Sequence, residues 1–273
     1  MHTLSDITEY LLVQDIVVEP LTPKNSFVDT KGSLKGTVTG WSKIAVQLDG
    51  QADLAGTLVE SMSLASMCAV HMLEARPEDR VLDVCAAPGM KGYYLNKLVP
   101  HLQYYANDLS QDRLFRLRRL FTKHDVEPAG ITKCDARFID SKYDTESFDK
   151  IIIDAPCSGE GVILAGNDKL LATWSPAKVK RLQQLQIKIL KSSWKLLKPG
   201  GRLVYATCTL NKNENERVVK KALGITLQVE ESQLSTKNLQ LLKNGMAWRI
   251  LPSANSIGFF VAVLDKPDSE TVD

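Results

Sequence analysis

From residue 80 onward, short apolar runs alternate with segments of helical periodicity, and this rhythm leaves the chain very few folds. Runs at 81–84, 104–106, 131–132, 150–153 and 202–206 have the length and apolar content of buried strands. Between them lie helical patterns at 91–98, at 111–123, from Pro176 to a stop at Lys198-Pro199-Gly200-Gly201, and at 213–223. A strand followed by a helix, repeated, builds a mostly parallel sheet with helices on both faces. The last two runs, 248–251 and 258–263, are separated only by a Pro/Asn/Ser turn and predict an antiparallel hairpin at one side of the sheet. The expectation is a mixed α/β sheet of seven strands.

Residues 1–57 lack this rhythm. Pro20, Pro23, Gly32, Gly36, Gly40 and Gly50 punctuate short strand-like runs such as 43–48, which reads as a small N-terminal α+β appendage and a candidate RNA contact. The α/β domain is expected over 58–265, entered through an apolar helical bridge at 58–73, and 266–273 read as a solvated, disordered tail. Among the first twenty residues, Asp6, Glu9, Asp15 and Glu19 stand without a Lys or Arg, the opposite of a secretory signal or transit peptide. No run approaches the ~20 apolar residues of a membrane-spanning helix, so no membrane partner is expected. Cys68, Cys85, Cys134, Cys157 and Cys208 show no C-x-x-C spacing, and the histidines lie apart from them. Neither disulfides nor a metal are expected. The chain reads as a reduced intracellular monomer, cytoplasmic, or nuclear, nucleolar or organellar in a eukaryote.

Ligands of open α/β sheets sit outside the carboxyl ends of the strands. The first strand runs into Cys85-Ala86-Ala87-Pro88-Gly89-Met90-Lys91, where small residues let the backbone approach a ligand and aim amides at it. This is not the GxGxxG dinucleotide loop, nor does it carry the lysine-serine pair of a triphosphate loop. Asp108 follows the second strand, where an acid reaches ribose hydroxyls, and Asp135 follows the third, where it would meet an adenine amine. Either acid would serve equally as a helix cap. Together with the loop they favour a nucleoside ligand.

The fourth strand ends in Asp154-Ala155-Pro156-Cys157 and the fifth in Thr207-Cys208-Thr209, which puts two cysteines at adjacent strand ends. A lone cysteine there is usually a small buried residue. A thiol can also add to C6 of a pyrimidine and turn C5 into a carbon nucleophile. A carboxylic acid such as Asp154 can steady the ring during that step.

The stretches DVCAAPGMK, ANDLS, DAPCSGEG and YATCTLNKNENE resemble those of the Sun/Nop family of RNA cytosine-5 methyltransferases. With Trp174-Ser175-Pro176 downstream, the chain is most similar to the bacterial 16S ribosomal RNA branch. The resemblance covers roughly residues 58–265. It implies the Rossmann-like fold of methyltransferases that use S-adenosylmethionine, with ribosomal RNA as substrate. It also implies that Cys208 is the attacking thiolate, Asp154 the carboxyl facing the cytosine, and Cys157 the thiol that assists release. Residues Cys85, Ala86, Ala87, Pro88, Gly89, Met90 and Lys91, with Asp108, Asp135 and Asp154, would hold the cofactor, and Arg113 would buttress them. DNA cytosine-5 methyltransferases carry only the cysteine after strand four, so the second cysteine favours RNA. Met90 departs from the Gly or Ser common in the family and is bulkier. The rival expectations are transfer RNA as substrate, or a ribosome-assembly factor that binds RNA without turnover; intact Cys208, Cys157 and Asp154 weigh against the latter.

The total formal charge of +2 says little, but its distribution says more. Residues 109–124 hold Arg113, Arg116, Arg118, Arg119 and Lys123 against Asp112 alone. Residues 176–202 hold Lys178, Lys180, Arg181, Lys188, Lys191, Lys195, Lys198 and Arg202 with no acid. A merely solvated face mixes signs, so one or other of these segments is expected to meet RNA phosphates. Trp194, Trp248 and His71 read as core residues.

Overall fold

A computed structural model describes residues 36–38, 46–48, 62–233, 242–253 and 256–268. In chain order these form β1 (Gly36–Val38), β2 (Val46–Leu48), α1 (Leu64–Met72), β3 (Arg80–Asp83), α2 (Met90–Leu98) and β4 (Gln103–Asp108). Next come α3 (Gln111–Lys123), β5 (Gly130–Lys133), a 3-10 turn (Ala136–Ser141), β6 (Phe148–Asp154), and the one-turn helices α4 (Glu160–Ile163) and α5 (Asp168–Leu171). The chain continues through α6 (Pro176–Leu196), β7 (Leu197–Thr207), α7 (Glu216–Leu223), β8 (Gln228–Gln233), β9 (Met246–Leu251) and β10 (Phe259–Asp265). Strands β1 and β2 form an antiparallel ribbon. The remainder of the expected appendage lies outside the described residues.

The main sheet has the order β5-β4-β3-β6-β7-β10-β9-β8. Only β10 runs against the others, lying antiparallel to both β7 and β9. The mixed α/β architecture and terminal hairpin are therefore as expected, but the sheet has eight strands rather than seven. The strand that the sequence did not reveal is β8, Gln-Val-Glu-Glu-Ser-Gln, which pairs parallel to β9. It lies at the sheet edge and has no apolar run, because an edge strand is half solvated and its charges discourage further pairing. The Lys198-Pro199-Gly200-Gly201 segment also differs from expectation. The helix stops at Leu196, and those residues belong to β7, where the register against β6 shifts between Phe148 and Lys150. Lys266 extends the sheet instead of opening a tail, exchanging backbone hydrogen bonds with Gly200 and Gly201 at 2.9 Å.

Side chains alternate across the sheet with the two-residue period of a strand. Val81, Ile152, Val204, Ala206, Val261 and Val263 face α1, α2 and α3, whose Cys68, Ala69, Leu95, Leu117 and Phe121 complete that layer. Leu82, Ile151, Ile153, Leu203, Tyr205 and Phe260 face α6 and α7, where Ile189, Leu190, Leu196, Val218 and Val219 meet them. Burial on both faces explains why these strands read as continuous apolar runs.

The helix starts carry the side chains that such starts require. Ser110 accepts from the Arg113 amide at 3.3 Å, and Ser175 from the Lys178 amide at 3.1 Å, with Pro176 at the first helical position. His71 bonds the Tyr94 hydroxyl through Nε2 at 2.9 Å, and burial pushes its pKa down to about 4, as befits a core histidine. Trp248 is buried and Trp194 half-buried against the sheet.

Candidate active site

The parallel strands all deliver their last residues to one rim. After β3 the chain turns sharply through Cys85–Lys91, with a cis peptide at Ala87–Pro88 and Gly89 at φ +111°. The Ala86 amide donates to the Asn107 carbonyl at 2.8 Å, which ties this turn to the end of β4. Asp108, buried at the same strand end, accepts from the Ala87 amide at 3.3 Å, from the Ser110 amide at 2.9 Å and from Arg113 at 3.1 Å. Arg113 also donates to the Ala87 carbonyl. Beneath the turn, Asp83 is 1% exposed and accepts from the Tyr104 hydroxyl at 2.9 Å. Burial pushes its pKa up to about 7, against the opposing effects of Tyr104 and Lys91. Burial likewise pushes the Cys85 thiol up. The second oxygen of Asp83 and the Asn107 side-chain oxygen are buried acceptors with no partner.

Asp135, at the end of β5, caps the 3-10 turn by accepting from the Arg137 amide at 3.0 Å, and it pairs with the Arg137 guanidinium at 2.5 Å. That hydrogen bond holds its carboxyl below the usual range despite partial burial. Leu109 and Phe138, 64% and 58% exposed, stand just past Asp108 and Asp135. They are apolar surfaces which the sequence reading missed, because nothing in the sequence marks an apolar residue as left uncovered.

Lys91, reaching from α2, meets the Asp154 carboxylate at 2.5 Å. Burial works against its charge, but Asp154 and Asp83 outweigh that and raise its pKa. The sequence reading placed Lys91 with the cofactor group; its carboxylate partner comes from the catalytic group. Cys157 and Cys208 meet with their sulfurs 3.0 Å apart, both as free thiols. The Cys157 thiol is raised well above its ordinary value by the hydrogen bond to Cys208 and by burial, with Glu214 and Asp154 adding to the shift.

Below the thiols lies a buried polar cluster, Ser158, Glu160, Thr209, Asn211 and Glu214, which sequence reasoning did not single out. Ser158 donates to Glu214 through its amide at 3.1 Å and also through its hydroxyl. Gln186 of α6 donates to Glu214 at 2.9 Å and to the Pro156 carbonyl at 2.8 Å. Trp174 donates its indole N–H to Glu160 at 3.0 Å. The backbones of the two cysteine loops touch as well. The Gly161 amide donates to the Cys208 carbonyl at 3.0 Å, and a Cβ on Gly161 would stand 1.9 Å from the Gly258 carbonyl oxygen. Among the described residues no group of three or more His, Cys, Asp or Glu could hold a metal, and no helix is long and apolar enough to cross a membrane.

A family model described as 16S rRNA methyltransferase RsmB/F matches residues 70–265. Ribosomal RNA small subunit methyltransferase B of Shewanella oneidensis is 35% identical over 205 residues, which are 74% of this chain and 46% of that protein. Ribosomal RNA small subunit methyltransferase F of Serratia proteamaculans is 34% identical over 232 residues, 82% of this chain and 48% of that one. The chain thus spans about half the length of the curated relatives it matches. A crystal structure of NSun6 from Pyrococcus horikoshii with SFG superposes with a TM-score of 0.62 at 29% identity, covering 75% of this chain and 52% of that one.

Proposed function

Because the chain belongs to the 16S rRNA methyltransferase RsmB/F family, we propose that it methylates C5 of a cytosine in ribosomal RNA with S-adenosylmethionine as methyl donor. The observation that carries this reading is the meeting of Cys157, Cys208 and the Lys91–Asp154 pair at one rim. Addition to a pyrimidine C6 needs a nucleophile and a partner for the ring there, and the second thiol stands where it can assist release.

The strand-end residues fit the methyl donor. Asp83 and Asn107 offer buried acceptors without partners, Asp108 stands at the strand end beside them, and Leu109 and Phe138 offer apolar surface to a ring. Cys85–Lys91 and Asp135 complete the set, with Arg113 bracing Asp108. When bound, S-adenosylmethionine supplies a methyl group on a sulfonium centre.

In this reading the Cys208 thiolate adds to C6 of the cytosine. Asp154 faces the exocyclic amine and N3, accepting from the amine and relaying to N3 a proton supplied by the Lys91 ammonium against it, so the ring saturates without holding a negative charge. C5, now electron-rich, takes the methyl group. A water molecule then takes the C5 hydrogen as a proton, the Cys208–C6 bond breaks with its electron pair returning to the sulfur, N3 gives its proton back through Asp154 to Lys91, and Cys157 beside Cys208 assists release. The base must be unstacked to reach the thiols, at a cost of roughly a few kcal/mol that is smallest in single-stranded RNA.

The pair of Cys→Ala variants tests this. Cys208→Ala is expected to abolish methyl transfer, whereas Cys157→Ala should accumulate a denaturation-resistant covalent protein–RNA adduct. Turnover by Cys208→Ala would overturn the roles, and absence of an adduct with ribosomal RNA would favour a non-catalytic binder. Bisulfite mapping of RNA from cells with and without the gene would locate the cytosine.

A further inference from the structure

Glu160 and Glu214 take no part in the chemistry above, yet both are fully buried directly below the thiols. The donors to their carboxyls, Asn211, Trp174, Ser158 and Gln186, are all neutral. Two buried carboxylates without a cation cannot both stay ionised. The hydrogen count points the same way. Asn211 Nδ2 lies 2.8 and 2.9 Å from the two Glu160 oxygens, 3.0 Å from Glu214 and 2.8 Å from the Thr209 hydroxyl. Two amide hydrogens therefore face four oxygens, and a proton on one carboxyl halves that deficit. Burial, with the neighbouring Glu214, pushes Glu160 up to about 7, and burial raises Glu214 too. The other titratable groups near the pair are Cys157 and Tyr205, whose hydroxyl donates to the Glu214 carbonyl at 2.7 Å. Arg249 of β9 spends its guanidinium on Leu210, Glu216 and Glu231.

The pair grips both cysteine loops. Ser158 follows Cys157 and Thr209 follows Cys208; their hydroxyls lie 3.1 Å apart, with Glu214 accepting from Ser158 and Asn211 reaching Thr209. We propose that Glu160 and Glu214 form a positioning pair that shares one proton and so holds the Cys157 and Cys208 thiols side by side. This rests on the reading of those thiols as nucleophile and release group, but the spacing itself can be measured without any reaction.

A trivalent arsenical, phenylarsine oxide, forms two As–S bonds to thiols that lie together, displacing the oxide oxygen as water with the two thiol protons. Its capture by the RNA-free full chain reports the spacing. Glu160→Gln, which keeps a neutral hydrogen-bonding group, is expected to capture it as the wild type does and to retain kcat and KM. Glu160→Ala and Ser158→Ala are expected to weaken capture by about tenfold or more, since a separated pair loses its chelate advantage. They should also lower kcat with KM unchanged. Wild-type capture by a folded Ser158→Ala or Glu160→Ala, judged by near-UV circular dichroism, would overturn the positioning role. Equal loss in Glu160→Gln and Glu160→Ala would overturn the shared proton. Normal capture dependence without any methyl transfer would leave the positioning role standing and sink the proposed reaction instead.

Discussion

At the scale of single residues, the rim is tuned by what is buried under it. Asp83 sits beneath the turn with Tyr104, Lys91 and Asp154 as its titratable neighbours, and burial pushes its pKa up to about 7. Its folded value lies above the unfolded one, so between about pH 4 and pH 7 the folded chain holds a proton that the unfolded chain has released. Stability is therefore fullest below that window and falls as pH rises through it, by on the order of a few kcal/mol. Asp83→Asn stays neutral throughout and still accepts from Tyr104. Urea unfolding at pH 5 and pH 8 is expected to show a smaller loss in this variant than in the wild type, with the residue of the slope owed to Glu160, which is raised in the same sense. An unchanged slope would mean that Asp83 is ionised in the folded protein. Cys85, Asp108, Asp154 and Cys208 were legible as rim residues because each follows or ends an apolar run, whereas Asp83, inside the first run, was not. Glu160, Asn211 and Glu214 were present in the same motifs but unreadable as a cluster. Their meeting depends on two loops from different strands, and no spacing rule connects residues across a sheet.

At the scale of elements, α6 does two jobs on two faces. Its inner face carries Ile189, Leu190 and Leu196 into the core and Gln183 and Gln186 toward the loops after β6 and β7. Leu182 and Leu185 are only half-buried, because near the helix start the neighbouring inward positions Gln183 and Gln186 serve the polar cluster rather than the apolar layer. On the outer face Lys180, Arg181, Lys188 and Lys191 are exposed and carry no ion pair among the described residues, whereas Lys195 is held by Asp140 at 2.7 Å. If RNA phosphates lie along this stripe, replacing those four by Gln is expected to reduce the slope of log affinity against log salt by about 3. The check is RNA binding across a KCl series, and a slope identical to wild type would place the RNA elsewhere. The elements themselves were largely legible, since α3 and α6 begin on capping serines and the strands are apolar. Strand β8 was not, because it is held by backbone pairing with β9 and by Glu231 pairing with the buried Arg249, a partner that only the folded chain supplies.

At the scale of the whole molecule, the sheet order brings residues far apart in sequence into one rim. β6 and β7 are neighbours at its centre, which is why Asp154, Cys157 and Cys208 converge. The strand that covers the other side of β7 is β10, which begins only at Phe259. A chain ending at Gly258 is expected to lose its cooperative thermal transition, because β7 and β9 would lose the one strand that joins them; a transition within a few degrees of the full chain's would contradict this. The same reversed strand bears on how the protein is made. A ribosome that has completed the cysteine loops has not yet released the segment that closes the sheet beside them, so the nascent chain carries an open strand edge next to two reduced thiols. Closure of the sheet around the reactive centre is thus the last step that synthesis permits, and an exposed strand edge is the characteristic route to misassembly until it occurs.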